Sequence, residues 1–450
     1  MKITIVGGGA SGTLLAANLL RQSSTRPFEV NLVEKRSNVG RGVAFGTTRE
    51  SHLLNVPAGR MGAFPEDVGH FHRWLTEKGH DFGPNDFVPR LLFGEYLRFI
   101  FTSAVENKPA HVKLNLIDDE AVDMSAENNG AQVMLRSGEI LISQKVVLAF
   151  GNFVPPHPSV ANRSFTTADK YFLDPWNERL YESINPEDSI FIVGTGLSMV
   201  DVALHFDKHR HKGKIYAIST RGLLPARHEL GHTYSPFTDE LKQMTRITDM
   251  LKAVRRHIGS AESGGSNWRA VIDSLRPETQ ELWLQLPLAE KKYFKQHLSR
   301  YWNVARHRMP ASAADVLDVM QNEGRLEILK GRLKSIEHKD GEFRISFSNP
   351  DEARTVVADA LVNCIGSESD FTKIDRPFVK NLIARRHVRN DELSMGIAAS
   401  PDGSVVDKHG RYSNVVFTLG TALKGTLWET TAIPEIRAQA SKLALTLLAD

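Results

Sequence analysis

Lys2-Ile3-Thr4-Ile5-Val6-Gly7-Gly8-Gly9-Ala10-Ser11-Gly12-Thr13-Leu14-Leu15 decides the fold. Lys2 to Val6 is a short β-rich run that stops at glycine, and Thr13 to Arg21 carries apolar residues at helical spacing. The order is strand, glycine turn, helix. Gly7 allows the tight turn, Gly9 lets a backbone approach a pyrophosphate, and Gly12 lets helix and strand pack closely. The helix amino terminus adds free N–H groups and the positive end of a dipole. A second run, Glu29 to Val33, ends in Glu34, an acid placed to accept hydrogen bonds from a ribose. Together these features predict a dinucleotide site.

Working outward, the 450 residues suit two or three domains, and a net charge of +3 is too small at this length to indicate nucleic acid as a partner. No apolar run approaches the ~20 residues of a membrane span, and the first residues enter a strand directly, so a cytoplasmic protein without membrane contact is expected. Cys364 is the single cysteine, which removes any CxxC redox pair and electron transfer through a dithiol. Its apolar surroundings read as those of a buried small hydrophobe.

After Glu34, the basic and glycine-rich run Lys35 to Phe45 and then Leu53 to Met61 read as loops along an extended ligand. Residues 67–105 look helical. From His111 to Ala149 the period falls to two: Val112–Leu116, Gln132–Leu135 and Ile140–Ile142 read as a meander closing in Lys145–Ala149. The same order returns in Leu326–Leu329, Phe343–Phe347 and Thr355–Val357, followed by Asp359–Gly366. Two such meanders predict two related dinucleotide-binding units.

The second unit starts at Asp188–Val193, followed by Gly194-Thr195-Gly196-Leu197-Ser198-Met199 and a helix. Met199 stands where a third glycine is usual, or Ser198 takes that role. The next strand ends in Ser219-Thr220-Arg221 with no acid, which suits the 2′-phosphate of NADPH. Between Pro225 and Gly324 lies a mainly helical insertion. Its His228-Glu229-Leu230-Gly231-His232 matches a zinc-protease pattern, but Pro225, Gly231 and Pro236 argue against the helix that pattern needs, so no metal is expected. Arg300, Arg306, His307 and Arg308 with Trp302 form a cationic and aromatic cluster fit for a phosphate or carboxylate substrate, or simply a charged helix face. The strand Asn414–Leu419, ending at Gly420, and a helix from Ile433 to Leu448 complete the first unit, with the helix dipole aimed at an electron-rich ring.

The expected architecture is α/β: two Rossmann-like dinucleotide-binding domains, for FAD and NADP, with β-meanders and a mainly helical insertion. The FAD-binding domain takes residues 1–155 and, as its C-terminal part, 361–450; the NADP-binding domain takes 156–360, with the insertion at about 228–322.

The Gly7-Gly9-Gly12 turn with Glu34, Asn55–Gly59, Ala149–Asn152, Gly194–Ser198, Arg300–Arg308 and Trp428–Glu435 together resemble the bacterial FAD/NAD(P)-binding protein family, similar to the flavin-containing and N-hydroxylating monooxygenases. That resemblance implies FAD at the first motif and NADPH at the second. The candidate cofactor contacts are Gly7, Gly9, Ala10, Ser11, Gly12, Glu34, Lys35, Arg41, Asn55, Val56, Gly151, Gly194, Gly196, Ser198, Arg221, Gly420, Trp428 and Thr431. Trp302, Arg306 and Arg308 are the candidate substrate contacts, and no residue stands out as catalytic. Phe150 departs from the threonine that related enzymes often carry there.

The implied activity is an NADPH-using FAD monooxygenase that oxygenates a small amine or sulfur with dioxygen through a flavin hydroperoxide. A reductase that moves hydride only, and a non-enzymatic flavin-binding redox sensor, remain open alternatives.

Overall fold

The computed structural model describes residues 1–22, 26–34, 39–127, 129–349 and 352–449. The first part of the chain forms β1 (Lys2–Val6), β2 (Phe28–Glu34), β3 (Val112–Asp118), β4 (Ala121–Glu127), β5 (Gly130–Leu135), β6 (Ile140–Ser143) and β7 (Lys145–Leu148). The middle forms β8 (Tyr171–Phe172), β9 (Ile190–Val193), β10 (Ile215–Ser219), β11 (Leu326–Lys330), β12 (Arg332–Lys339), β13 (Glu342–Ser348), β14 (Ala353–Ala358) and β15 (Ala360–Asn363). Two strands near the end, β16 (Ser404–Val406) and β17 (Tyr412–Thr418), follow.

The first sheet has the order β16-β17-β7-β1-β2-β3, parallel except for β16 against β17. The second, β11-β10-β9-β15-β8, is parallel throughout. Both are covered on two faces, which is why β1, β9 and β15 read as almost unbroken apolar runs. In the first unit the helix Ala10–Leu20 buries all but one of its residues, wedged between the sheet and the helices Arg90–Glu106 and Ile433–Leu448.

The two units repeat each other closely. The Gly7 N–H donates to the Val33 carbonyl at 2.8 Å and the Gly194 N–H to that of Ile218 at 2.7 Å. Gly7 has φ +107° and backs onto the Ala149 carbonyl; Gly194 has φ +113° and backs onto that of Cys364.

Two details differ from the sequence reading in the same way. Val112–Asp118 runs beside β2 in the main sheet, and the meander is β4-β5-β6. Leu326–Lys330 likewise runs beside β10, and the second meander is β12-β13-β14. In both meanders the overlooked first strand carries a register shift, between Ala121 and Asp123 and between Leu333 and Ser335, which spoils the two-residue alternation. Residues 361–363, expected with the C-terminal part of the first domain, run in the second sheet as part of β15.

Helices from Thr238 to Arg306 build the insertion around its own apolar cluster, which includes Trp283, Phe294 and Trp428. No helix among the described residues is long and apolar enough to cross a membrane.

Candidate cofactor and substrate site

At the first glycine turn the side-chain space is filled by backbone. A Cβ on Gly12 would lie 1.9 Å from the Gly7 carbonyl oxygen, so helix and turn touch directly. A Cβ on Gly9 would meet only the Gly42 Cα, at 3.6 Å, so the outward side of the turn is bare backbone. Glu34 accepts the Gly8 N–H on one carboxylate oxygen at 2.6 Å, which fixes the carboxylate beside the turn. Arg41 leads into the short helix Gly42–Phe45, next to the turn. Lys35 lies outside the described residues.

The C-terminal part of the chain closes on this turn. Gly420, φ +74°, packs where a Cβ would strike the Ser11 hydroxyl. Its N–H donates to Gln439 at 2.8 Å, and its carbonyl accepts the Thr430 hydroxyl at 2.9 Å. The Thr421 hydroxyl reaches the Phe150 and Gly151 carbonyls at 3.1 and 3.2 Å. Phe150 itself packs among Phe153, Phe371 and Phe378. The Asn55 carbonyl accepts from the His228 ring at 3.3 Å, and Val56 is buried.

Between the two units lies a cleft of about 980 Å³. Gly194, Gly196, Ser198 and Arg221 line it from the second unit, Gly151 and Thr431 from the first. Six of the expected cofactor contacts therefore meet in one space. Gly196 and Gly151 both face open space where a Cβ would stand, so the backbone there is approachable. Bare backbone at Gly9, Gly196 and Gly151 is what two pyrophosphate-bearing cofactors need, and the residues present fit FAD and a nicotinamide dinucleotide.

The cationic cluster splits. On the helix Ser299–Arg306 and its C-cap, Arg300, Asn303, Val304 and His307 recur at helical spacing and line the cleft. Trp302 faces the other way: its indole N–H donates to Glu429 at 2.7 Å, and its ring joins the apolar cluster of the insertion. Arg306 is buried between Glu429 and Glu435, at 3.9 and 3.7 Å. Arg308 is buried elsewhere, paired with Asp273. None of these three is among the cleft-lining residues. Trp428, with φ +60°, is buried against Trp283 and Phe294 rather than in the cleft.

Sequence reasoning passed over Thr421, Asn303 and Lys424 on the cleft wall. The 3.6-residue period starting from Arg300 would have selected Asn303 and His307; Lys424 carried no signal. Burial pushes the His307 imidazole down, with the Glu429 carboxylate opposing. Burial also lowers the Lys424 ammonium. The His228–His232 run is irregular chain rather than helix, with Gly231 at φ +93°.

Two mainly parallel sheets, each with its own glycine turn and meander, make up a two-dinucleotide-domain fold with a helical insertion. Residues 4–153 match the FAD-NAD(P)-binding family. Among curated proteins, the chain is 25% identical over 259 residues to the uncharacterized protein YdhS of Escherichia coli (strain K12), covering 50% of this chain and 46% of that one. It is 24% identical over 203 residues to the L-aspartate N-monooxygenase (nitrosuccinate-forming) of Streptomyces davaonensis, covering 36% and 31%. The chain thus spans less than half the length of these relatives. The solved ornithine N-hydroxylase of Kutzneria sp. 744 superimposes with a TM-score of 0.63 over 99% of this chain and 98% of its own, at 13% identity, a likeness of fold.

Proposed function

We propose that the chain is an FAD-dependent, NADPH-using monooxygenase that oxygenates a small amine, with dioxygen as co-substrate, in the cytoplasm. The observation that carries this reading is the cleft between the units, where the second glycine turn and Arg221 face Gly151 and Thr431 of the first unit. A second glycine turn that opens on a cleft walled by Gly151 and Thr431 of the first unit suits hydride transfer between the two cofactors. The name of the Streptomyces davaonensis relative supports oxygenation at nitrogen.

FAD, when bound, supplies the redox and oxygen-activating chemistry. The protein's own part is binding and placement. Residues 1–155 and the C-terminal part hold FAD, with the Gly7–Gly12 turn on the pyrophosphate and the second oxygen of Glu34 on the ribose. Residues 156–360 hold NADPH, with Gly194, Gly196 and Ser198 on the pyrophosphate and Arg221 on the 2′-phosphate. Arg300, Asn303 and His307 line the cleft and orient the substrate there.

The test is NADPH oxidation by the FAD-loaded protein in air with a panel of amines, followed by mass spectrometry of the products. One amine should accelerate NADPH oxidation and gain a single oxygen atom. Turnover that no amine changes, and that continues under nitrogen with an artificial acceptor, would replace this reading with a reductase.

A further inference from the structure

A buried ion pair between the two units lies outside the cleft. Arg90 opens the helix Arg90–Glu106 of the first unit, and three groups hold it in place. Its backbone N–H donates to the His52 carbonyl at 2.8 Å, its Nε–H donates to the Leu53 carbonyl at 2.9 Å, and its guanidinium lies 5.1 Å from the centre of the Trp176 ring. From there it reaches Asp201 of the second unit at 2.9 Å. Asp201 is buried and belongs to the helix Leu197–Lys208, the one that starts at the second glycine turn.

Around this pair the segment Arg49–His52, whose last carbonyl accepts the Arg90 N–H, makes further contacts with the second unit. Arg49 pairs with Glu178, Glu50 with Lys208 at 2.7 Å, and the His52 ring meets the Tyr181 hydroxyl at 3.3 Å. The Glu50–Lys208 pair is well exposed and adds little. The Arg90–Asp201 pair is desolvated: burial raises the Asp201 carboxyl to about 6, against the pull of Arg90. A buried ion pair is no more stabilising than a well-packed apolar pair of the same shape, so its contribution here is sought in geometry.

We infer that Arg90 is a positioning residue: through Asp201 it fixes the helix behind the second glycine turn to the first unit, and so sets where the nicotinamide meets the flavin. This rests on the two-cofactor reading proposed above. A rigid helix transmits a small tilt to its amino terminus, and a displacement of about 1 Å between reacting groups slows a transfer by up to about 100-fold.

The test compares the parent FAD-loaded protein with the double variant Arg90→Met/Asp201→Leu, which removes both charges together, and with Arg90→Lys. Spin labels on Lys113→Cys in β3 and Lys334→Cys in β12, in a Cys364→Ala background, report the distance between units; anaerobic flavin reduction reports the transfer. The double variant should keep its FAD and its half-saturating NADPH concentration within about threefold, broaden the inter-unit distance distribution, and reduce its flavin at least tenfold more slowly at saturating NADPH. Arg90→Lys should lie between, since lysine keeps the charge but not the carbonyl contact.

A distance distribution and reduction rate equal to the parent's in either variant would overturn the inference. If the double variant fails to hold FAD, Arg90→Lys decides alone. A parent whose flavin NADPH never reduces would defeat the functional reading instead, and the label distances would still decide whether Arg90 fixes the units.

Discussion

In the first unit the helix after the glycine turn lies on the turn itself, with Gly12 against the Gly7 carbonyl; in the second, the corresponding position is Met199, fully buried in the helix–sheet core. One helix meets its turn at a bare glycine, the other buries a large side chain at that position. The outward sides differ as well. Glu34 is bonded beside the first turn, whereas the second opens on a cleft flanked by Ser219, Thr220 and Arg221. A shared fold therefore places an acid beside one turn and a cation beside the other, and the two turns should respond differently to equivalent changes.

The largest effect is expected from charge on the turns. Gly9→Glu should abolish FAD retention while Gly196→Glu leaves the protein yellow and removes NADPH binding; measured FAD content and NADPH titration check both. Loss of FAD in Gly196→Glu, or its retention in Gly9→Glu, would break the division of labour. Next comes the packing contrast. Gly12→Ala should prevent a native FAD-loaded fold, because the clash is with backbone, whereas Met199→Ala should cost about 2–5 kcal/mol of stability and keep FAD. Denaturant unfolding monitored by flavin release measures the difference.

A smaller effect is expected at the joint between units. Burial pushes the His52 and His205 imidazoles down to about 3, below their unfolded value of 6.5. The unfolded chain then binds the protons first, so the stability these rings contribute is complete above pH 6.5 and is lost as pH falls from 6.5 toward 3. Thermal unfolding across that range should show a falling midpoint, with a shallower slope in His52→Gln. The smallest effect falls on one interaction: Arg221→Ala should weaken NADPH by ~1.5–3 kcal/mol and leave NADH unchanged, as a charge-assisted bond to the 2′-phosphate requires. Equal losses for the two cofactors would remove Arg221 from that role.

Much of this architecture was legible because it is carried by local chemistry. A glycine at φ above +100° and an apolar parallel strand leave marks that survive in the sequence, and Gly7, Gly194 and the last helix, Ile433–Leu448, fall where expected. The two edge meanders were less legible because a register shift interrupts the alternation of β4 and β12, and because β12 is rich in charge. The cleft wall was hardest to read. Trp302, Arg306 and Arg308 are the chemically loudest residues of their segment, yet burial turns them to Glu429, Glu435 and Asp273, and the cleft is left to Arg300, Asn303 and His307. Composition identified the cluster; only the helix phase separates its two faces.

The most direct test of two cofactors meeting in one cleft is anaerobic titration of the FAD-loaded protein with NADPH, following the flavin absorbance. Bleaching at one NADPH per flavin, lost in Gly196→Glu although chemical reductants still bleach that variant, is the predicted result. A flavin that NADPH leaves oxidised in the unaltered protein, or that bleaches equally well in Gly196→Glu, would contradict the account.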